Sequence, residues 1–184
     1  MPVGGVLDRL WLAGIVPTAS AQEARAGAPA APPKPMTPAE MQAEIERLKT
    51  LVPSYSHPMQ DVAINWANLW FAAQKKNWPL ARYFYNEARS PIAWTVRINP
   101  NDKVNGEIVD LKSIYYAIDT SSLMMVREAI EKQNSTQFVA AYKTMLESCS
   151  SCHKAAGKQM IRPQIPTAQV LTIVNLDPAA TWPE

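Results

Sequence analysis

The chain has 184 residues, 47% hydrophobic and 18% charged, a balance that suits one globular domain with extensions. No window approaches the roughly 18 uninterrupted apolar residues of a membrane-spanning helix, which argues against an integral membrane protein. Eighteen basic and 16 acidic residues leave a net charge of +2 with the bases scattered, which argues against nucleic-acid binding. Two cysteines are too few for a disulfide-built scaffold and enough for one functional pair.

Residues 1–21 carry an apolar stretch, Val3 to Val16, then Pro17 and Ala19-Ser20-Ala21, small residues that suit a signal-peptidase cut before Gln22. Asp8 and Arg9 interrupt the stretch and no basic segment precedes it, so a short apolar arm is the alternative to export. Residues 22–36, QEARAGAPAAPPKPM, are rich in Ala, Pro and Gly and read as a linker without a core of its own.

Residues 37–157 are helical in pattern. Thr37-Pro38-Ala39-Glu40 is a capping box with proline at the first helical position, opening a helix to about Leu51. Pro58 opens a second, in which Val62, Trp66, Leu69 and Ala73 form one apolar stripe, broadened by Trp70 and Phe71. A third runs from about Pro79 through Tyr83 and Ala88, with Ser90-Pro91 a kink or break before Ile92 to Ile98. Asn99-Pro100-Asn101-Asp102 and Asn105-Gly106 read as turns.

A fourth helix spans about Ile108 to Gln133, carrying Leu111, Ile114, Ile118, Met125 and Ile130, with one residue of Met124-Met125 facing inward and the other a neighbour. A fifth starts at Asn134 or Ser135 as N-cap and continues to Ala156, with Gly157 as its stop. No segment alternates at period two for long enough to predict a sheet. The fold expected is therefore all-α, an antiparallel four-helix bundle with an extra N-terminal helix. Residues 158–184 form an irregular tail punctuated by Pro163, Pro166, Pro178 and Pro183, whose apolar run Val170 to Val174 lies on the surface or reaches a partner. The aromatic zone of Trp66, Trp70, Trp78, Tyr83 and Tyr85 is expected to pack in the core.

Near the end of the last helix stands Cys149-Ser150-Ser151-Cys152-His153, the C-x-x-C-H spacing of c-type haem attachment. Offsets of zero, three and four residues fall at about 0°, 300° and 40° around a helix axis, so all three side chains share an arc of roughly 100°. Two thiols can then add to the two vinyl groups of one haem while the His153 imidazole reaches its iron. Phe138, Tyr142 and Met145 continue the same face upstream, making Tyr142 and Met145 candidates for packing on the porphyrin. A redox-active dithiol would sit at a helix start after a strand. A zinc site would need a fourth ligand, for which His57 is the only other histidine. Neither pattern suits this position as well as covalent haem.

A single C-x-x-C-H late in the fourth helix of an antiparallel bundle resembles cytochrome c′ and its low-spin relative cytochrome c-556. The resemblance covers about Pro58 to Lys158 and rests on helix order, on Tyr142 seven residues before Cys149, and on the His153-Lys154 ending. It implies haem c bound through Cys149 and Cys152, His153 as proximal iron ligand, export to the periplasm, and often a homodimer. The helix at Thr37 to Leu51 and the tail after Arg162 exceed the usual four-helix core. The family's distal residue comes from the first bundle helix, which makes Met59 or His57 the candidate sixth ligand, with an open or apolar face as the third option.

The function expected is one-electron transfer by a periplasmic monohaem cytochrome, with no substrate transformed and hence no enzymatic activity. A gas-binding module for NO or CO is the alternative, and a haem subunit of a larger respiratory or dehydrogenase complex a third. Lys143, Lys154, Lys158 and Arg162 against Glu147 give a local surplus of three positive charges that suits steering of an acidic redox partner protein.

Overall fold

The computed structural model describes residues 34–181. The signal-peptide reading of 1–21, the linker from 22 to 33 and Pro183 lie outside the described residues. The chain divides into two compact units at Leu51, so the helical region expected over 37–157 falls across both.

In the first unit, α1 (Pro38–Thr50) forms as its cap dictates. The Thr37 hydroxyl accepts from the Glu40 backbone N–H, and the Glu40 carboxylate accepts from the Thr37 N–H at 2.7 Å. Glu44–Arg47 and Glu46–Lys49 pairs line its surface, and none of its residues is buried.

The second unit is mostly helical with a small two-stranded sheet. It comprises α2 (Ser56–Gln74), α3 (Trp78–Ile98), β1 (Asn101–Val104), β2 (Glu107–Asp110), α4 (Leu111–Ile118), a π-helical segment (Asp119–Leu123), α5 (Met124–Glu131) and α6 (Ser135–Ala155). α2 packs along α3, and α5 against α6. Between them lies a core that includes Leu69, Phe84, Leu123, Phe138 and Tyr142. Of the aromatic zone, Trp66, Trp78 and Tyr85 are buried and Trp70 packs against the core, whereas Tyr83 is exposed.

Three features depart from the expectation. Pro91 does not break α3, which runs unbroken to Ile98. The residue whose carbonyl loses its helical partner, Glu87, is at the surface, where water can serve instead.

The two turns expected near 99–106 are parts of one antiparallel hairpin, with Val104 opposite Glu107. Asn105 (φ 51°) and Gly106 (φ 92°) are both left-handed, as a two-residue type I′ turn requires. The following helix therefore starts at Leu111 rather than Ile108, with the Asp110 carboxylate accepting from the Ser113 N–H at 2.9 Å.

The third departure is a change of register. A straight α-helix through Ile118 would bring Met125 inward. The π turn inserts one residue, so Leu123 and Val126 are buried in place of Met125, Ile130 is buried as expected, and Met124 and Met125 are 37% and 47% exposed. The Thr120 and Ser121 hydroxyls each donate to the carbonyl four residues back, supplying partners where the α-helical ladder is interrupted. Arg89 clamps the start of the segment to α3 through a bidentate pair with Asp119, both contacts 2.6 Å.

The tail does not lie free on the surface. Leu171 and Val174 pack against the core and Leu176 is buried in it. Asn68 of α2, fully buried, accepts at its Oδ1 from the Val170 and Leu171 N–H groups, both at 3.2 Å. Asn77 donates to the Leu176 carbonyl at 3.2 Å. The run thus lies on the domain surface as a strap, the first of its two expected placements: Leu171 and Val174 pack on the protein's own helices, while Val170 and Ile173 stay exposed. Asn68→Ala removes the acceptor for two backbone donors and is expected to cost about 1–3 kcal/mol and to speed proteolysis within residues 161–176. Unchanged protease protection would refute the anchoring role.

Candidate functional site

The C-terminal half of α6 carries the motif, and the helix ends where its caps dictate. Gly157 adopts φ 68°, and the Lys158 N–H bonds the His153 carbonyl at 2.7 Å, in a Schellman-type closure. A Cβ at Gly157 would meet Val104 Cγ1 at 3.0 Å, so the bare glycine lets the hairpin close against the end of α6.

Cys149, Cys152 and His153 all line one cavity of about 570 Å³, within the range of small-molecule and cofactor sites. Upstream on α6, Tyr142, Met145 and Leu146 continue its wall at helical spacing. α2 faces it with Met59, Val62, Ala63 and Trp66, again one stripe per turn. α3 contributes Ile92, Thr95 and Val96, α4 contributes Leu111 and Tyr115, and the strap contributes Ile161, Pro163 and Pro166. The lining is overwhelmingly apolar.

Tyr142 and Met145 are both buried and held in place. The Tyr142 ring stacks on Trp66 with centroids 5.2 Å apart, and its hydroxyl donates to the Trp66 carbonyl at 3.0 Å. The Met145 sulfur accepts from Ser122, a residue that the π turn brings inward, at 3.3 Å. On α4, Tyr115 donates to Asp119 at 3.3 Å, and burial together with that carboxylate pushes its phenol up to about 12.

Burial and the neighbouring Cys152 push the Cys149 thiol up to about 12, and burial raises Cys152 as well. Both are free thiols. A dithiol oxidoreductase needs a thiol lowered toward the thiolate, the opposite tuning. Burial lowers the His153 imidazole, keeping it in the neutral form that ligates a metal. Its Nδ1 lies 3.4 Å from the Ile161 carbonyl. Donation there leaves the Nε2 lone pair free for a ligand, as metal-bound histidines commonly arrange.

The structure separates the two candidates on α2. Met59 faces the same cavity as the motif, whereas His57 is exposed and lines a different cleft, with Pro53, Asp61, Pro91 and Trp94. His57 is therefore not gathered with the cysteines as a zinc site would require, and among the described residues no group of three or more His, Cys, Asp or Glu side chains forms a metal cage. Two thiols, one imidazole and a thioether around a mainly apolar space form a donor set that suits a covalently held haem.

The cavity also has members that sequence reasoning did not single out. Tyr55, Asp102 and Thr95 line it, and Lys158, noted only for its charge, lines it too. Asp102 carried no signal because its hairpin was read as a turn.

No family model matches the chain, and no curated protein and no solved structure matches it. The described residues contain no helix long and apolar enough to cross a membrane.

Proposed function

We propose that the chain is a c-type cytochrome that carries single electrons in the periplasm, with one haem joined to Cys149 and Cys152. The observation that supports this best is that both thiols and the His153 imidazole line one apolar cavity large enough for a flat ligand. In this reading α2, α3, the run from α4 through α5, and α6 are the four members of an antiparallel bundle of the cytochrome c′ kind. When bound, haem supplies a one-electron ferric–ferrous couple whose potential follows from its axial ligands and surroundings.

The chain's own residues divide the remaining work. Cys149 and Cys152 fix the group covalently one helical turn apart. His153 presents Nε2, oriented by the Ile161 carbonyl. Met59, which lines the same cavity, would supply the second protein ligand to a bound haem, and Val62, Ala63, Ile92 and Val96 would give it an apolar wall. Trp66 and Tyr142 back the wall as a stacked pair.

The alternative, a gas-binding module, follows if Met59 only packs, because its neighbours Val62, Ala63 and Trp66 would then leave an apolar distal face. Optical spectra of the reduced protein with and without CO decide between them. Met59 ligation predicts no fast Soret change in the wild type, a large one in Met59→Ala, and wild-type behaviour in His57→Ala. Immediate CO binding by the wild type would establish the gas-binding reading instead.

A further inference from the structure

Asp102 and Lys158 stand out in the mainly apolar cavity lining as an ion pair. Lys158 Nζ donates to Asp102 Oδ2 at 3.0 Å and to the Ala156 carbonyl at 3.1 Å, and sits 5.2 Å from the centre of the Tyr55 ring. The Tyr55 hydroxyl in turn donates to the Asn101 carbonyl at 3.4 Å. Three separate segments, the start of α2, the hairpin and the turn after α6, thus meet at this one point. Val104 against Gly157 holds the hairpin there. The two charged side chains are 38% (Lys158) and 23% (Asp102) exposed, so they form a rim rather than a core pair. Arg162 adds a second cation to the same lining.

A haem is apolar over most of its surface and carries two carboxylates along one edge. Seating that edge against apolar walls would strand two charges, whereas a rim holding Lys158 and Arg162 against the single carboxylate of Asp102 keeps a positive surplus to meet it. We propose that Lys158 receives the carboxylate edge of the haem and that Asp102, presented by the hairpin, positions Lys158 and offsets its charge, so that this pair is a determinant of the reduction potential. The inference rests on the haem reading above. Negative charge near the iron favours the ferric state and positive charge the ferrous state, the strength of either depending on how dry the surroundings are.

Midpoint potentials of the haem-loaded protein test this through a double-mutant cycle. Lys158→Met leaves Asp102 uncompensated and is expected to lower the potential. Asp102→Asn leaves Lys158 uncompensated and is expected to raise it. The double variant is expected to return close to the wild type. Lys154→Met, an exposed lysine of α6 outside the cavity lining, is the reference for a remote charge. A purely structural role would shift thermal stability without opposite-signed potentials. Covalent haem with shifts no larger than that of Lys154→Met overturns this proposal alone, and a wild-type chain that takes up no covalent haem overturns it together with the reading on which it rests.

Discussion

Replacing both Cys149 and Cys152 by alanine, in a strain that attaches haem, is expected to abolish covalent haem. The two thiols lie one turn apart on α6 and line the same cavity, so each reaches a different point along one flat ligand. Either single variant keeps one thiol and is expected to retain haem through one bond, at reduced yield. The measurement is the fraction of haem that stays with the protein in acidified acetone, which strips haem held by coordination alone. The double variant leaves His153 and the apolar walls intact, so loosely held haem in it would show what coordination and packing contribute without the covalent links. Haem that survives extraction in the double variant would place the attachment elsewhere.

Tyr142→Ala is expected to be the most destabilising single change at the site, by about 3–5 kcal/mol. The side chain has no exposed surface and its ring lies against Trp66, Trp70 and Phe138, with centroids 5.2, 4.9 and 5.7 Å away. Its removal loses that burial and leaves a void beside a space that already exists, which the surrounding helices cannot collapse to fill without closing the cavity itself. Tyr142→Phe keeps the ring and loses only the bond to the Trp66 carbonyl, an expected cost of about 0.5–1.5 kcal/mol. Urea unfolding of the two variants, with unchanged slopes, separates packing from hydrogen bonding. An alanine variant within about 1 kcal/mol of the wild type would mean that the aromatic cluster is not the keystone of this wall.

The parts of the fold that sequence made legible are those whose signals are local. Thr37 with Glu40, Asn134 and Gly157 mark helix ends by hydrogen bonds to near neighbours, and the structure shows those ends. The spacing of Cys149, Cys152 and His153 on one helix likewise needed no tertiary information to be read as one face. The hairpin was missed because strands of four residues are too short to display alternation, although Asn105-Gly106 is a strong turn signal. The π turn at Asp119 to Leu123 is set by what α3 and α6 offer: Arg89 as a clamp for Asp119 and Met145 as a neighbour for Ser122. Sequence periodicity carries no mark of it, so the apolar pattern alone points one of Met124 and Met125 inward, whereas both are exposed. The strap depends on Asn68, a residue about a hundred positions away from the backbone donors it receives. Long-range polar matches of this kind, and the Asp102–Lys158 pair among them, come into view only once the helices are assembled.

The most direct measurement is the intact mass of the full chain, purified from cells that attach haem and then denatured and washed with acidified acetone. A mass increased by one haem, together with a peptide spanning Cys149 to His153 that carries the whole increment, is the predicted result. A colourless protein of unmodified polypeptide mass, with all pigment in the organic phase, would contradict it.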